Sequence, residues 1–132
     1  MTDTPAPTIW PALTYADAPA AIRFLVEAFG FVETLVVPGE GGREIAHAEL
    51  RWPEGGGVMI GSTGNDNEFS QRKPGTTSTY VVTDGPDALF DRATAAGAEV
   101  VRDLRDEDYG SRGFTVRDPE GNLWSFGTYR GA

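Results

Sequence analysis

The chain has 132 residues, 20 of them acidic and 11 basic, a net charge of −9 and no cysteine. That length suits one domain with its own core, and the missing thiols exclude disulfides, thiolate catalysis and cysteine-based zinc sites. The acid surplus is spread along the chain, with 8 acids against 3 bases in residues 1–64 and 12 against 8 in the rest, which argues against a nucleic-acid partner because such a partner needs a basic face.

Residues 1–7 are polar and carry Pro5 and Pro7, the pattern of a loose arm. No basic segment precedes an apolar run, and no apolar stretch approaches the roughly 18 residues of a membrane span. A soluble cytoplasmic protein without a membrane partner is therefore expected. Ile9 to Tyr15 reads as a strand, with Pro11 marking an edge or a bulge. Asp17 is placed to cap a helix, with Pro19 in its first turn. Ala21, Ile22, Leu25, Ala28 and Phe29 form its apolar face, and Gly30 supplies a left-handed stop.

Three further strands are predicted at Glu33–Val37, Glu44–Trp52 and Val58–Gly61, separated by glycine- and proline-rich turns. The polar stretch from Thr63 to about Gly75 reads as a connector. The order then repeats: a strand at Thr77–Val82, a helix opening at Asp84 with Pro86, Leu89, Ala93 and Ala96 on one face, and strands near Val100–Leu104, Phe114–Arg117 and Leu123–Tyr129. Asp118-Pro119-Glu120-Gly121-Asn122 is a strong turn between the last two. Asp17-Ala18-Pro19-Ala20-Ala21-Ile22 recurs as Asp84-Gly85-Pro86-Asp87-Ala88-Leu89, 67 positions on, and Gly30 recurs as Gly97 at the same distance. A repeated unit of this kind fixes the architecture. One domain, 1–132, is expected, with module one at 8–62, a connector at 63–76 and module two at 77–129.

The tandem strand–helix–three-strand unit resembles the vicinal oxygen chelate superfamily, the glyoxalase, bleomycin-resistance and ring-cleaving dioxygenase group. Arg117-Asp118-Pro119-Glu120-Gly121-Asn122 before an aromatic strand carries the resemblance, together with Tyr15-Ala16-Asp17-Ala18 and Ala28-Phe29-Gly30-Phe31. It spans roughly residues 8–129. The resemblance implies an α+β fold in which two βαβββ modules curl a mixed sheet into a cup, with helices outside and a small-molecule ligand inside, and it implies a homodimer.

Strand alternation then assigns faces. Ile45, His47, Glu49 and Arg51 are expected to line the cup, with Ala46, Ala48, Leu50 and Trp52 against the helix. Ile9, Leu13 and Tyr15 should pack under the helix, leaving Trp10, Ala12 and Thr14 inside. Thr77, Thr79 and Val81 are the second-half equivalents. Ser125, Gly127 and Tyr129 face in from the last strand, while Trp124 and Phe126 are core. Trp10 and Tyr129 are candidates for stacking on a planar or cationic ligand. Arg51, Arg112 and Arg117 are candidates for meeting an anion. The ligand-contact set is thus Trp10, Ile45, His47, Glu49, Arg51, Thr79, Arg112, Ser125 and Tyr129. The glycines of Tyr109 to Gly113 permit a lid at the mouth of the cup.

Metal-dependent members of the resembled family hold a divalent ion with His, Gln or Glu from four strands. Carried over, those positions fall on Trp10, on Thr77 or, with a one-residue slip, Ser78, within Val58–Ser62, and on Ser125. None is a usual ligand, so neither a metal nor another cofactor is expected. His47 and Glu49 could share a proton and act as an acid–base pair. The leading expectation is a metal-independent small-molecule-binding protein, possible forms being sequestration of a drug-like compound, as in antibiotic resistance, or of a metabolite. The alternative is a lyase, isomerase or dioxygenase-type enzyme using His47 and Glu49 or other metal ligands.

Overall fold

The computed structural model describes residues 6–132. Proline lacks the N–H a sheet ladder needs, and β1 starts immediately after Pro11, at Ala12–Tyr15. Ile9, expected under the helix, is instead 81% exposed. Asp17 caps α1 (Ala18–Phe24) by accepting the Ala20 N–H at 3.2 Å. The helix then widens into a π-helical turn at Leu25–Phe29 and ends at Gly30, whose φ is 88°.

The guanidinium of Arg92 donates to the carbonyls of Glu27 at 2.8 Å and Val26 at 3.0 Å, satisfying acceptors at the helix end. A Cβ at position 30 would lie 2.9 Å from Arg92 Nη1. Gly30→Ala is therefore expected to destabilise the protein by about 1–2 kcal/mol, combining the left-handed backbone cost with displacement of the guanidinium. The urea midpoint reads this directly, and an unchanged midpoint would remove Arg92 from the account.

The first module continues with β2 (Val32–Pro38), β3 (Ile45–Arg51) and β4 (Gly57–Ser62). Its sheet runs in the order β1-β4-β3-β2, with β1 parallel to β4 and the other pairs antiparallel. The second module repeats this with β5 (Ser78–Val82), α2 (Pro86–Ala95), β6 (Glu99–Asp106), β7 (Arg112–Arg117) and β8 (Leu123–Gly127). Its order is β5-β8-β7-β6. The fold is the expected α+β tandem of βαβββ modules, and neither sheet closes into a barrel.

The modules share one core. Phe29 meets Trp124 and Phe126 of the other module at ring separations of 5.5 and 4.7 Å, and Trp52 meets Phe126 at 5.8 Å. Burying aromatic faces from both halves together removes far more apolar surface than either module could alone.

The turns lock the halves reciprocally. Glu54, between β3 and β4, accepts the Asp84 N–H at 2.8 Å, where β5 leads to α2. Glu120, between β7 and β8, accepts the Ala16 and Asp17 N–H groups at 2.7 and 2.8 Å, where β1 leads to α1. Each Glu follows a proline and precedes a glycine.

The repeat is 68 residues in β1, β5 and the helix starts, not 67. Ala18 and Pro86 both open helices, and the buried pairs Leu13/Val81, Ala21/Leu89 and Leu25/Ala93 keep that spacing. The π-turn accommodates one additional residue in the first helix, so the glycine stops fall 67 apart. The similarity around Asp17 and Asp84 therefore misaligns the repeats by one residue. In β5 Val81 is buried and Tyr80 exposed, so the expectation that Thr77, Thr79 and Val81 face the concave side is corrected: Ser78, Tyr80 and Val82 have that parity.

Candidate functional site

The inward face of module one follows from alternation. Leu13, Tyr15, Ala48, Leu50, Val58 and Ile60 are buried toward the core, which turns their neighbours to the concave side. Register sets Ala12, Met59, Glu49 and Leu35 side by side across the four strands. On the next rung lie Thr14 beside Gly61 and His47 beside Val37.

At the His47 end of this face is a cavity of about 260 Å³. Ala12, Thr14, His47, Met59 and Gly61 supply the sheet wall, while Asn65, Asn67, Phe69 and Ser70 of the connector supply the other. The connector is held there by specific bonds. Thr14 Oγ1 donates to the Phe69 carbonyl at 2.8 Å, and Asn65 Nδ2 donates to the Ile45 carbonyl at 2.9 Å. Asn67 Oδ1 accepts the Phe69 and Ser70 N–H groups, both at 3.0 Å, and so shapes the one-turn 3₁₀ helix Phe69–Gln71. The cavity thus combines an apolar floor with amide and imidazole groups around it, the ordinary make-up of a small-molecule site.

His47 Nε2, on the wall, lies 2.7 Å from Glu49 Oε2, which stands on the same face of β3 just outside the cavity lining; the side chains are 39% and 28% exposed. This is the pairing foreseen from their spacing. Arg51 lies farther along β3, beside Gly57, and its Nε is buried without a hydrogen-bond partner. Trp10 lies over Gly57, where a Cβ would come within 2.8 Å of the indole. Neither lines the cavity. Ile45 is buried, its N–H donating to Ser62 Oγ at 2.7 Å.

The remaining candidates stand on module two. Thr79 lies in a cleft between the modules with Phe31 and Trp52. Ser125 is bonded to Thr115 at 2.8 Å in a second hollow. Tyr129 packs edge-on against Tyr109, ring centroids 5.8 Å apart. Arg112 is already engaged: it donates to both carboxylate oxygens of Asp87 at 2.9 and 3.0 Å and to Asp106 at 3.2 Å. Those bonds raise the guanidinium above its ordinary range and hold the Asp87 carboxyl below its own. Arg117 likewise donates to Glu99 at 2.6 Å.

The connector residues carry no sequence signal of a site, because a polar stretch without periodicity reads as a linker. Phe69, a lone aromatic within it, is the exception. The fit of a metal is tested by the same geometry. At the 68-residue spacing Trp10, two residues before β1, is equivalent to Ser78 on β5, and Met59 and Ser125 are equivalent on β4 and β8. An indole, a thioether and two hydroxyls do not suit a hard divalent ion. Among the described residues no three His, Asp or Glu side chains converge.

Residues 9–126 match the family model described as Glyoxalase/Bleomycin resistance protein/Dioxygenase superfamily. An uncharacterized protein of Mycobacterium bovis is 41% identical over 128 residues, covering 92% of this chain and 82% of that one. The crystal structure of TioX from Micromonospora sp. ML1 superposes with a TM-score of 0.77 at 38% identity, over 90% of this chain and 95% of TioX. A glyoxalase/bleomycin resistance protein from Streptomyces sp. CB03234 gives a TM-score of 0.62 at 25% identity, over 88% and 97% of the two chains.

Proposed function

Because the chain belongs to the glyoxalase/bleomycin resistance protein/dioxygenase superfamily, we propose that it is a metal-independent small-molecule-binding protein that sequesters a drug-like or metabolite ligand. The carrying observation is the cavity of about 260 Å³ between the concave face of module one and the folded connector. The donor set at the metal positions of the family supports the metal-independent part. The similarity to a Streptomyces glyoxalase/bleomycin resistance protein supports the sequestering part.

A thermal-shift screen of aromatic and polycyclic natural products tests the reading. Hits should raise the melting temperature by several degrees at concentrations well above Kd, bind one per cavity by calorimetry, and return unchanged after dialysis. Nickel, zinc or manganese alone should leave the melting temperature unmoved. Stoichiometric metal in the purified protein, or a shift of several degrees on adding one of these ions, would overturn the metal-independent reading.

The His47–Glu49 contact supports a second reading, an enzyme of the lyase or isomerase type. In that case a hit would be consumed, and His47→Ala would lower turnover about 100-fold with little change in binding, the usual scale for a lost general base. For a binder, the same variant would cost about 0.5–1.5 kcal/mol of affinity, the net value of one hydrogen bond.

A further inference from the structure

Module two has its own concave hollow, of about 140 Å³, separate from the cavity of module one. Register places Tyr80, Ser125, Thr115 and Arg102 in one row across β5, β8, β7 and β6. All four line the hollow, and Tyr109 stands at its edge.

Arg102 is set apart from its neighbours. Arg105, Arg112 and Arg117 each bond to a carboxylate. Arg102 has no hydrogen-bond or ion-pair partner among the described residues, although the protein carries a net charge of −9. The β6–β7 ladder is irregular on both sides of Arg102. Such irregularities re-aim a side chain and are enriched beside functional sites. Glu107, which also borders the hollow, is neutralised by Arg105 at 2.6 Å.

The hydroxyls complete the site. Thr115 Oγ1 and Ser125 Oγ are 2.8 Å apart, and either can donate. Whichever accepts has its own proton left to donate to a third group. Tyr80 spends its proton on the Tyr129 carbonyl at 2.7 Å, so it offers its ring face and not a donor. Gly127 keeps this arrangement open, since a Cβ there would come within 2.8 Å of the Tyr80 hydroxyl. One guanidinium fork, one spare hydroxyl proton and flanking phenol rings match a planar anion with an aromatic body.

We propose that the hollow of module two is a second binding site, for a small aromatic carboxylate, with Arg102 as its anion anchor. Benzoate, a planar carboxylate on a single ring, is the probe. Titrated into isotopically labelled protein, it should shift the amide signals of Tyr80, Thr115 and Ser125 saturably, and benzamide should not. Arg102→Gln should weaken benzoate at least 10-fold, with Arg102→Lys intermediate, because a point charge cannot make the forked contact. Both variants change an exposed side chain, and an unchanged melting temperature confirms that they fold. Phe69→Ala, in the other cavity, should leave benzoate binding as it is, which separates this site from the one assigned above. Absence of saturable shifts, or benzoate affinity retained in Arg102→Gln, would overturn the proposal. Cyclohexanecarboxylate binding as tightly as benzoate would overturn its aromatic half.

Discussion

Asp118→Ala should destabilise the protein by about 3–5 kcal/mol, since it strands several buried donors at about 1–3 kcal/mol each. Asp118 Oδ2 accepts from the Tyr15 hydroxyl at 2.6 Å, Trp124 Nε1 at 3.0 Å and Asn122 Nδ2 at 3.0 Å. Its Oδ1 accepts the N–H groups of Glu120 and Asn122 at 3.0 and 3.1 Å, which shapes the turn. Asp118 is 4% exposed, and Tyr15 and Trp124 are fully buried. Tyr15→Phe should cost only about 1 kcal/mol, because the carboxylate keeps its other donors. Equal losses in the two variants, measured by urea denaturation, would refute the network as the source of stability.

The same contact sets an alkaline limit. Burial raises the Tyr15 phenol well above its ordinary value of 10.0, and the neighbouring Asp118 charge adds to it. In the unfolded chain the phenol loses its proton near pH 10, while in the folded protein it keeps it. The stabilisation is thus fully present below pH 10 and declines above it, by up to about 1.4 kcal/mol per pH unit. Tyr15→Phe should flatten that decline between pH 10 and 11. A decline of the same slope in the variant would assign it to other groups.

Gly61→Phe should abolish ligand binding in module one, lowering affinity at least about 100-fold, the scale of losing a large buried contact. Gly61 has the inward parity of β4 and lines the cavity. A Cβ there would meet Asn65 Nδ2 at 3.4 Å and the Ala46 and Ile45 carbonyls at 3.6 and 3.9 Å, all ordinary contacts. The Cβ is therefore accommodated without moving the strand, the inward parity aims the phenyl ring at the cavity, and melting should change little. Calorimetry with a hit from the screen measures the loss. Full affinity in a folded Gly61→Phe variant would place the ligand elsewhere.

Local chemistry carried much of this fold into the sequence. Asp17 as a cap, Gly30 as a left-handed stop, Pro11 at the margin of an edge strand and Asp118 to Asn122 as a turn each act within a few residues, where backbone geometry alone decides. Alternation in β3 likewise put His47 and Glu49 on one face, because a strand's period of two is exact over so short a distance.

Other features depended on residues far apart in the chain. The π-turn at Leu25–Phe29 has no local signature. It displaced the glycine spacing from the structural repeat, and with it the face assigned to β5. Arg112 looked available until folding set it beside Asp87. The connector looked like a linker until Thr14, Asn65 and Asn67 tied it over β1 and β4. The sequence by itself determined the two modules, their turns and the His47–Glu49 pair. Only the tertiary structure decided that the concave faces carry two separate hollows, one walled by the connector and one centred on Arg102. Contacts between residues distant in sequence create such hollows, and no local period records which of them form.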